Sequence, residues 1–268
     1  MTVLLTGARG RIGSSLAASL PGYGWQLRGF DRQPGEAGQL VGELTDPAAL
    51  DLAMAGVEAV VHLAGQPTEA PWPVIREANI EGSYQLFEAA RRAGVRRVVL
   101  ASSNHAVGFT PRGPQPLAAD TPARPDTLYG VSKVFGEALG RYYCDRYGFQ
   151  VACLRIGTFA EQPPDQRSLA TWLAPADCAR LVDACLRSTS LSYAEIWGIS
   201  ANRDRWWSLA AGEQLGYRPA EDASLFAPVP AAGDEHRPAA ADLVGGKFTG
   251  AAFGIDEIAQ LTGGEDAR

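Results

Sequence analysis

The stretch Thr2-Val3-Leu4-Leu5-Thr6-Gly7-Ala8-Arg9-Gly10-Arg11-Ile12-Gly13 decides the fold. An apolar run reads as a buried strand, three glycines follow at intervals of three, and a helical apolar pattern continues through Leu20. Glycines at the turn out of a strand remove the Cβ atoms that would hold a pyrophosphate away from the backbone. The helix behind them offers unpaired N–H groups and a positive dipole end to the phosphates. Trp25 to Phe30 reads as a second strand, so strand, glycines, helix and strand occur in the order that a dinucleotide-binding unit needs.

Working outward, Asp31 follows the second strand. A carboxylate there accepts hydrogen bonds from the adenosine ribose and repels a 2′-phosphate, which favours NAD; the neighbouring Arg32 would welcome that phosphate. Glu43-Leu44 precedes a helix expected near Pro47, and Val57 to Leu63 is a short strand ending in His62-Leu63-Ala64-Gly65. His62 is expected to be packed or hydrogen-bonded rather than catalytic. A helical pattern from about Val74 to Arg92 carries Asn79.

Arg96 to Ala101 supplies the next strand and delivers Ser102-Ser103-Asn104-His105 at its C-terminal end, the edge where ligands sit in open parallel sheets. Phe109 to Pro125 holds five prolines and reads as a loop. Asp126 is expected to cap a long helix from Tyr129 to Tyr147, stopped by Gly148. Tyr129 and Lys133 are four residues apart, so both side chains leave one helix face. An ammonium held near a phenol lowers the tyrosine pKa from about 10 and makes it a usable general base. Ser103, at the preceding strand end, is placed to hold the oxygen from which Tyr129 takes a proton. Taken alone, Tyr-x-x-x-Lys also fits an ordinary surface helix pair.

Gln150 to Ile156 is another parallel strand, and from Gly157 the alternation fades. Thr158 to Ser168 is polar and contains Arg167, whose guanidinium suits a carboxylate and would equally serve a surface ion pair. Pro175 to Arg187 reads as a helix and Glu195 to Ile199 as a strand. Trp206-Trp207 should pack in a small lobe, Pro228 to Asp242 is an Ala/Pro-rich loop, and Gly245-Gly246-Lys247-Phe248 should return a tail to the body. The expectation is an α/β Rossmann-like doubly wound parallel sheet with a small C-terminal substrate-binding lobe: 1–156 for the dinucleotide and the Ser/Tyr/Lys group, 157–268 for the lobe.

Composition agrees with one packed body: 46% of the 268 residues are hydrophobic and 20% charged. The net charge of −6 argues against a nucleic-acid footprint, and no apolar run reaches membrane-spanning length. The chain starts on its first strand with no basic leader, and Cys144, Cys153, Cys178 and Cys185 form no C-x-x-C pair, so a cytoplasmic location with reduced thiols is expected. His62, His105 and His236 are too scattered for a metal cluster, and no metal is expected.

The G-x-x-G-x-x-G spacing resembles the extended branch of the short-chain dehydrogenase/reductase superfamily. Ser-Ser-Asn-His at 102–105, Pro-Ala-Arg-Pro-Asp-Thr-Leu-Tyr-Gly-Val-Ser-Lys at 122–133, Leu-Arg-Ile-Gly at 154–157, Trp-Leu near 172, Trp-Gly-Ile-Ser-Ala-Asn at 197–202 and Gly-Gly-Lys-Phe at 245–248 together resemble the uronate dehydrogenases over nearly the whole chain. That resemblance implies oxidation of the anomeric carbon of cyclic galacturonate or glucuronate with NAD, giving the aldaric acid lactone. It makes Tyr129 the base, Lys133 its partner and Ser103 the hydroxyl positioner, with Asn79 keeping a helix kink and a water near the lysine.

By the same resemblance the cofactor lies against Gly7, Arg9, Gly10, Arg11, Ile12, Gly13, Asp31, Glu43, Leu44, Leu63, Ala64, Gly65, Asn79, Tyr129, Lys133 and Ile156. Ser103, Asn104, His105, Tyr129 and Thr158 would line the sugar, with Thr68 and Phe248 beside them, and Arg167 would bind its carboxylate. Two positions depart from the family: Pro67 and Thr158 stand where serine is usual, so either Thr68 substitutes for the first hydroxyl or one sugar hydroxyl is read differently. A homo-oligomer is expected. Sugar-nucleotide epimerases and dehydratases of the same branch are the alternative, although dehydratases place an acidic pair where Asn104-His105 stands. A non-catalytic dinucleotide sensor would typically lack the Tyr or the Lys.

Overall fold

The computed structural model describes residues 1–35, 39–229 and 242–254. His236 and most of the Ala/Pro-rich stretch lie outside them. In chain order the first half comprises β1 (Thr2–Thr6), α1 (Arg11–Ser19), β2 (Gln26–Asp31), β3 (Leu40–Val41), α2 (Pro47–Met54), β4 (Ala59–His62), α3 (Trp72–Ile75) and α4 (Gly82–Ala93). It continues with β5 (Arg97–Ser103), α5 (Leu128–Tyr147), β6 (Gln150–Ile156), β7 (Thr158–Phe159), α6 (Ser168–Thr171), β8 (Trp172–Leu173), α7 (Pro175–Arg187), β9 (Tyr193–Gly198) and α8 (Ala210–Gln214).

The main sheet has the order β3-β2-β1-β4-β5-β6-β9, and every pairing in it is parallel. Alternation along β1 explains the two layers. Val3 and Leu5 join the core that includes Leu16 of α1 and Leu181 and Val182 of α7. Leu4 faces the other way, into the core with Leu50 of α2, Leu86 and Phe87 of α4 and Tyr143 of α5. The winding reverses between β1 and β4, which opens a crevice at their C-terminal ends.

The structure refines three expectations. The helix expected from about Val74 to Arg92 runs from Trp72 to Ala93, with a π-helical turn, Arg76–Glu81, between α3 and α4. Asn79 sits in that turn and makes three hydrogen bonds outside the helix, the side-chain intrusion that accompanies such bulges. Secondly, Asp126 does not cap α5. Thr127 does, its Oγ1 accepting from Gly130 N at 2.9 Å, and the helix begins at Leu128; it ends, as expected, at Gly148 in the left-handed conformation (φ 66°).

Thirdly, the boundary after Ile156 divides a continuous body. β9 pairs with β6 as the last strand of the main sheet, and α7 packs beside α1 in the shared core. The small lobe is therefore the two-stranded β7–β8 sheet and the turns around it. Trp207, expected in the small lobe, is instead buried in the main core against Trp197 of β9, ring centroids 4.3 Å apart and nearly parallel. The segment after Asp242 returns to the body through Arg112 N to Asp242 O (2.7 Å), Val244 N to Thr110 O (3.0 Å) and Gly245 N to Gly108 O (2.8 Å).

Candidate active site

A cleft of about 1080 Å³ runs from Arg32 and Glu43 at one end, past the glycine turn, to Ser103, Tyr129 and Phe248 at the other. That exceeds what a drug-sized ligand alone fills. Gly7 adopts φ +68° and a Cβ on it would lie 2.7 Å from Ala64 N; a Cβ on Gly13 would lie 2.0 Å from Gly7 O. Side chains are thus excluded from the turn for packing reasons as well as for access. No side chain caps α1, which leaves its first N–H groups free for a phosphate.

Asp31 Oδ2 accepts from Arg9 N (2.9 Å) and Oδ1 from Gln33 N (3.0 Å). A carboxylate has four lone-pair sites, so both oxygens keep capacity for a ribose hydroxyl. Every residue expected to touch the cofactor lines the cleft except Asn79. Arg32 also lines the cleft. These groups fit a dinucleotide with a free 2′-hydroxyl.

At the far end β5 delivers Ser103, and α5 delivers Tyr129 and Lys133. Burial pushes the Tyr129 phenol up to about 12, opposed by its hydrogen bond with Ser103 and reinforced by the Asp126 carboxylate. Lys133 Nζ donates to Ala101 O (3.0 Å) and lies 5.3 Å from the Tyr129 ring centroid. Burial lowers it to about 8, with Glu137 pulling the other way. Desolvation, the largest cause of the Tyr129 shift, opposes the phenolate that the four-residue spacing to Lys133 is expected to stabilise. His62 is packed and hydrogen-bonded as expected, Nδ1 2.8 Å from Thr6 Oγ1 and Nε2 3.4 Å from Ser83 Oγ.

Asn79 lies behind the cleft. Its Oδ1 accepts from Gln66 N (2.7 Å), and its Nδ2 donates to Gln66 O (3.1 Å) and Ser132 Oγ (2.9 Å), tying the cofactor-lining loop to α5. It borders a separate small cavity shared with Lys133, His62 and Ser132. Asn104, His105, Thr68 and Phe248 line the cleft. Thr158 and Arg167 do not. Thr158 Oγ1 is taken up by Thr171 Oγ1 (2.9 Å); Arg167 donates to Val244 O and stacks over Trp206, 5.0 Å from its centroid.

Residues missed from the sequence do structural work here. Glu69 accepts from Leu128 N (3.2 Å) and Tyr129 N (2.7 Å), closing the first turn of α5 from across the cleft. Asp126 Oδ2 pairs with His105 Nδ1 at 2.8 Å. Arg155, inside the quoted Leu-Arg-Ile-Gly, is buried against Glu137. Nothing local marks Glu69; the buried Arg-Glu pair had a faint signal in a charge within an otherwise apolar strand.

Residues 3–183 match the model of the NAD-dependent epimerase/dehydratase family. A uronate dehydrogenase of Pseudomonas putida is 37% identical over 244 residues, covering 87% of this chain and 91% of that protein. An NAD-dependent glucose-6-phosphate dehydrogenase of Haloferax volcanii is 38% identical over 251 residues, covering 84% and 95%. A mutant of the Agrobacterium tumefaciens uronate dehydrogenase, crystallised in complex with NAD, shares 37% identity with a TM-score of 0.84, covering 92% and 96%. Likeness at this level along almost the full length of each protein marks common descent: the chain belongs to the NAD-dependent epimerase/dehydratase family and, within it, groups with the uronate dehydrogenases as an NAD-dependent oxidoreductase.

Proposed function

We propose that this protein oxidises the C1 hydroxyl of cyclic D-glucuronate or D-galacturonate to the aldaric acid lactone. The observation that carries the reading is the meeting of Ser103, Tyr129 and Lys133 at the substrate end of a dinucleotide cleft. The bound dinucleotide supplies the hydride acceptor. Ser103 holds the O1 hydroxyl, the Tyr129 phenolate takes its proton and becomes the neutral phenol as C1 gives up hydride, and the Lys133 ammonium stabilises the phenolate before that transfer. Asn104, His105 and Thr68 supply polar groups around the ring, with Thr68 offering the hydroxyl that Pro67 lacks.

Arg167 is the carboxylate partner in this reading. Burial, then the neighbouring Arg112, lowers its pKa to about 10 against the pull of Asp165 and Asp126. A desolvated guanidinium satisfied by one carbonyl and a ring gains from an incoming carboxylate, for which it exchanges Val244 O. The panel that tests this follows NADH formation with glucuronate, galacturonate, glucose, galactose and glucose 6-phosphate, the last because of the Haloferax relative. Uronates should be oxidised fastest. Arg167→Ala should cost uronates about 2–5 kcal/mol in kcat/KM and leave neutral hexoses almost unchanged; an equal loss for both would remove Arg167 from substrate recognition.

The same proposal places the enzyme in the cytoplasm, in keeping with four buried free thiols, and among the described residues no helix is long and apolar enough to cross a membrane. It also takes the protein to be a homo-oligomer; sedimentation at micromolar concentration tests this.

A further inference from the structure

Asp126 is a fully buried carboxylate that the helix does not need, because Thr127 already caps α5. Its Oδ1 accepts from Thr127 Oγ1 (3.1 Å) and its Oδ2 lies 2.8 Å from His105 Nδ1. Backbone closes around it: a Cβ on Gly108 or on Gly245 would lie 2.0 or 1.9 Å from Oδ2. Burying a carboxylate is expensive unless its bonds are strong ones, and its one partner facing the cleft is an imidazole.

That imidazole has little freedom. Tyr129 lies edge-on at 6.0 Å, Phe248 is tilted against it at 4.4 Å, and the His105 backbone N–H donates to Ser103 Oγ at 3.2 Å. His105 lines the cleft, and no described residue hydrogen-bonds its Nε2. A carboxylate accepts and does not donate, so the neutral ring must carry its proton on Nδ1 and present Nε2 as a bare lone pair.

We propose that Asp126 is a specificity-determining positioning residue: it holds His105 in the tautomer whose Nε2 accepts, so that the site selects an aldose with a donating hydroxyl at one ring position. Resting on the sugar-oxidation reading above, this goes beyond lining the sugar, since it names the group that sets the direction of the hydrogen bond. A sugar lacking that hydroxyl leaves a desolvated lone pair unpaired and is rejected.

The test compares kcat/KM for D-glucuronate with its 2-, 3- and 4-deoxy analogues in the unaltered enzyme, Asp126→Leu, Asp126→Asn, His105→Ala and the Asp126→Leu/His105→Ala pair. NAD affinity by fluorescence titration reports the fold. The unaltered enzyme should discriminate at one position by about tenfold or more. Asp126→Leu and His105→Ala should each reduce that ratio to near unity, the double variant should be no worse than His105→Ala, and Asp126→Asn should fall between because an amide oxygen still accepts. Undiminished discrimination in Asp126→Leu, or losses that add in the double variant, would overturn the proposal. If Asp126→Leu does not fold, an unchanged ratio in Asp126→Asn overturns it. Should the unaltered enzyme form no NADH from any uronate, the uronate reading fails by itself; the same ratios on the aldose it does oxidise then decide the Asp126 role.

Discussion

Tyr129 and Lys133 are buried where desolvation opposes the charge that each must carry during proton transfer. It is as the phenolate that Tyr129 takes the alcohol proton, which makes its removal a test of chemistry more than of binding. Tyr129→Phe should keep NAD affinity and reduce kcat by about 10²–10⁴; near-normal turnover would remove it from the proton path. His62 makes a separate prediction about stability. Burial first, then the Lys133 charge, lowers it from 6.5 to about 3. The unfolded chain therefore binds this proton below pH 6.5 while the folded chain refuses it until near pH 3, and stability is lost as pH falls through that window. The slope is at most about 1.4 kcal/mol per pH unit. Urea unfolding at pH 7 and pH 5 should show a larger loss for the unaltered protein than for His62→Gln, which has no proton to bind; equal losses would mean that His62 does not titrate in this way.

Among the elements, α5 decides the site, and its N-terminus is closed twice. Thr127 satisfies Gly130 N from within the chain, and Glu69 satisfies Leu128 N and Tyr129 N from the loop that carries Pro67 and Thr68. The carboxylate also meets the positive end of the helix dipole. Glu69→Ala leaves two N–H groups without this partner and should cost about 0.5–2 kcal/mol, the range of a lost cap. Because the same bond ties a cleft-lining loop to the backbone of Tyr129, KM for the sugar should rise while NAD affinity holds. Thermal unfolding together with steady-state kinetics separates the two effects, and a stability loss with unchanged KM would confine Glu69 to the helix.

Across the whole molecule, a buried ion network fastens the site to the sheet. Arg155 on β6 pairs with Glu137 of α5 (2.9 Å) and with Glu195 of β9 (3.0 Å), and donates to Ala119 O (2.7 Å) and Thr121 O (2.8 Å) in the Pro-rich loop. Ser102 Oγ adds a bond to Glu137 at 2.6 Å. Removing one member leaves the others charged and dry, so Arg155→Met should lower unfolding free energy by about 3–5 kcal/mol. Adding Glu137→Leu should recover part of it. Denaturant titration of Arg155→Met, Glu137→Leu and the double variant measures both effects, and a double variant as unstable as the sum of the two singles would show that the pair is not coupled.

Local order along the chain was enough to read the glycine turn at Gly7, Gly10 and Gly13, strand β6 and helix α7 residue for residue, the Gly148 stop, and the Tyr129–Lys133 face. Each of these depends on backbone preference or side-chain direction within a turn or two, which neighbouring residues determine by themselves. Only the tertiary structure decided that β9 completes the main sheet, that Arg167 turns to Val244 O, that Glu69 reaches Tyr129 N and how deeply the Tyr129 phenol is buried. Arg167 and Val244 are 77 positions apart, and Glu69 and Tyr129 60. Pairings at that separation, and the desolvation that shifts a pKa, arise from which surfaces the packed layers bring together, and no window of sequence contains that information.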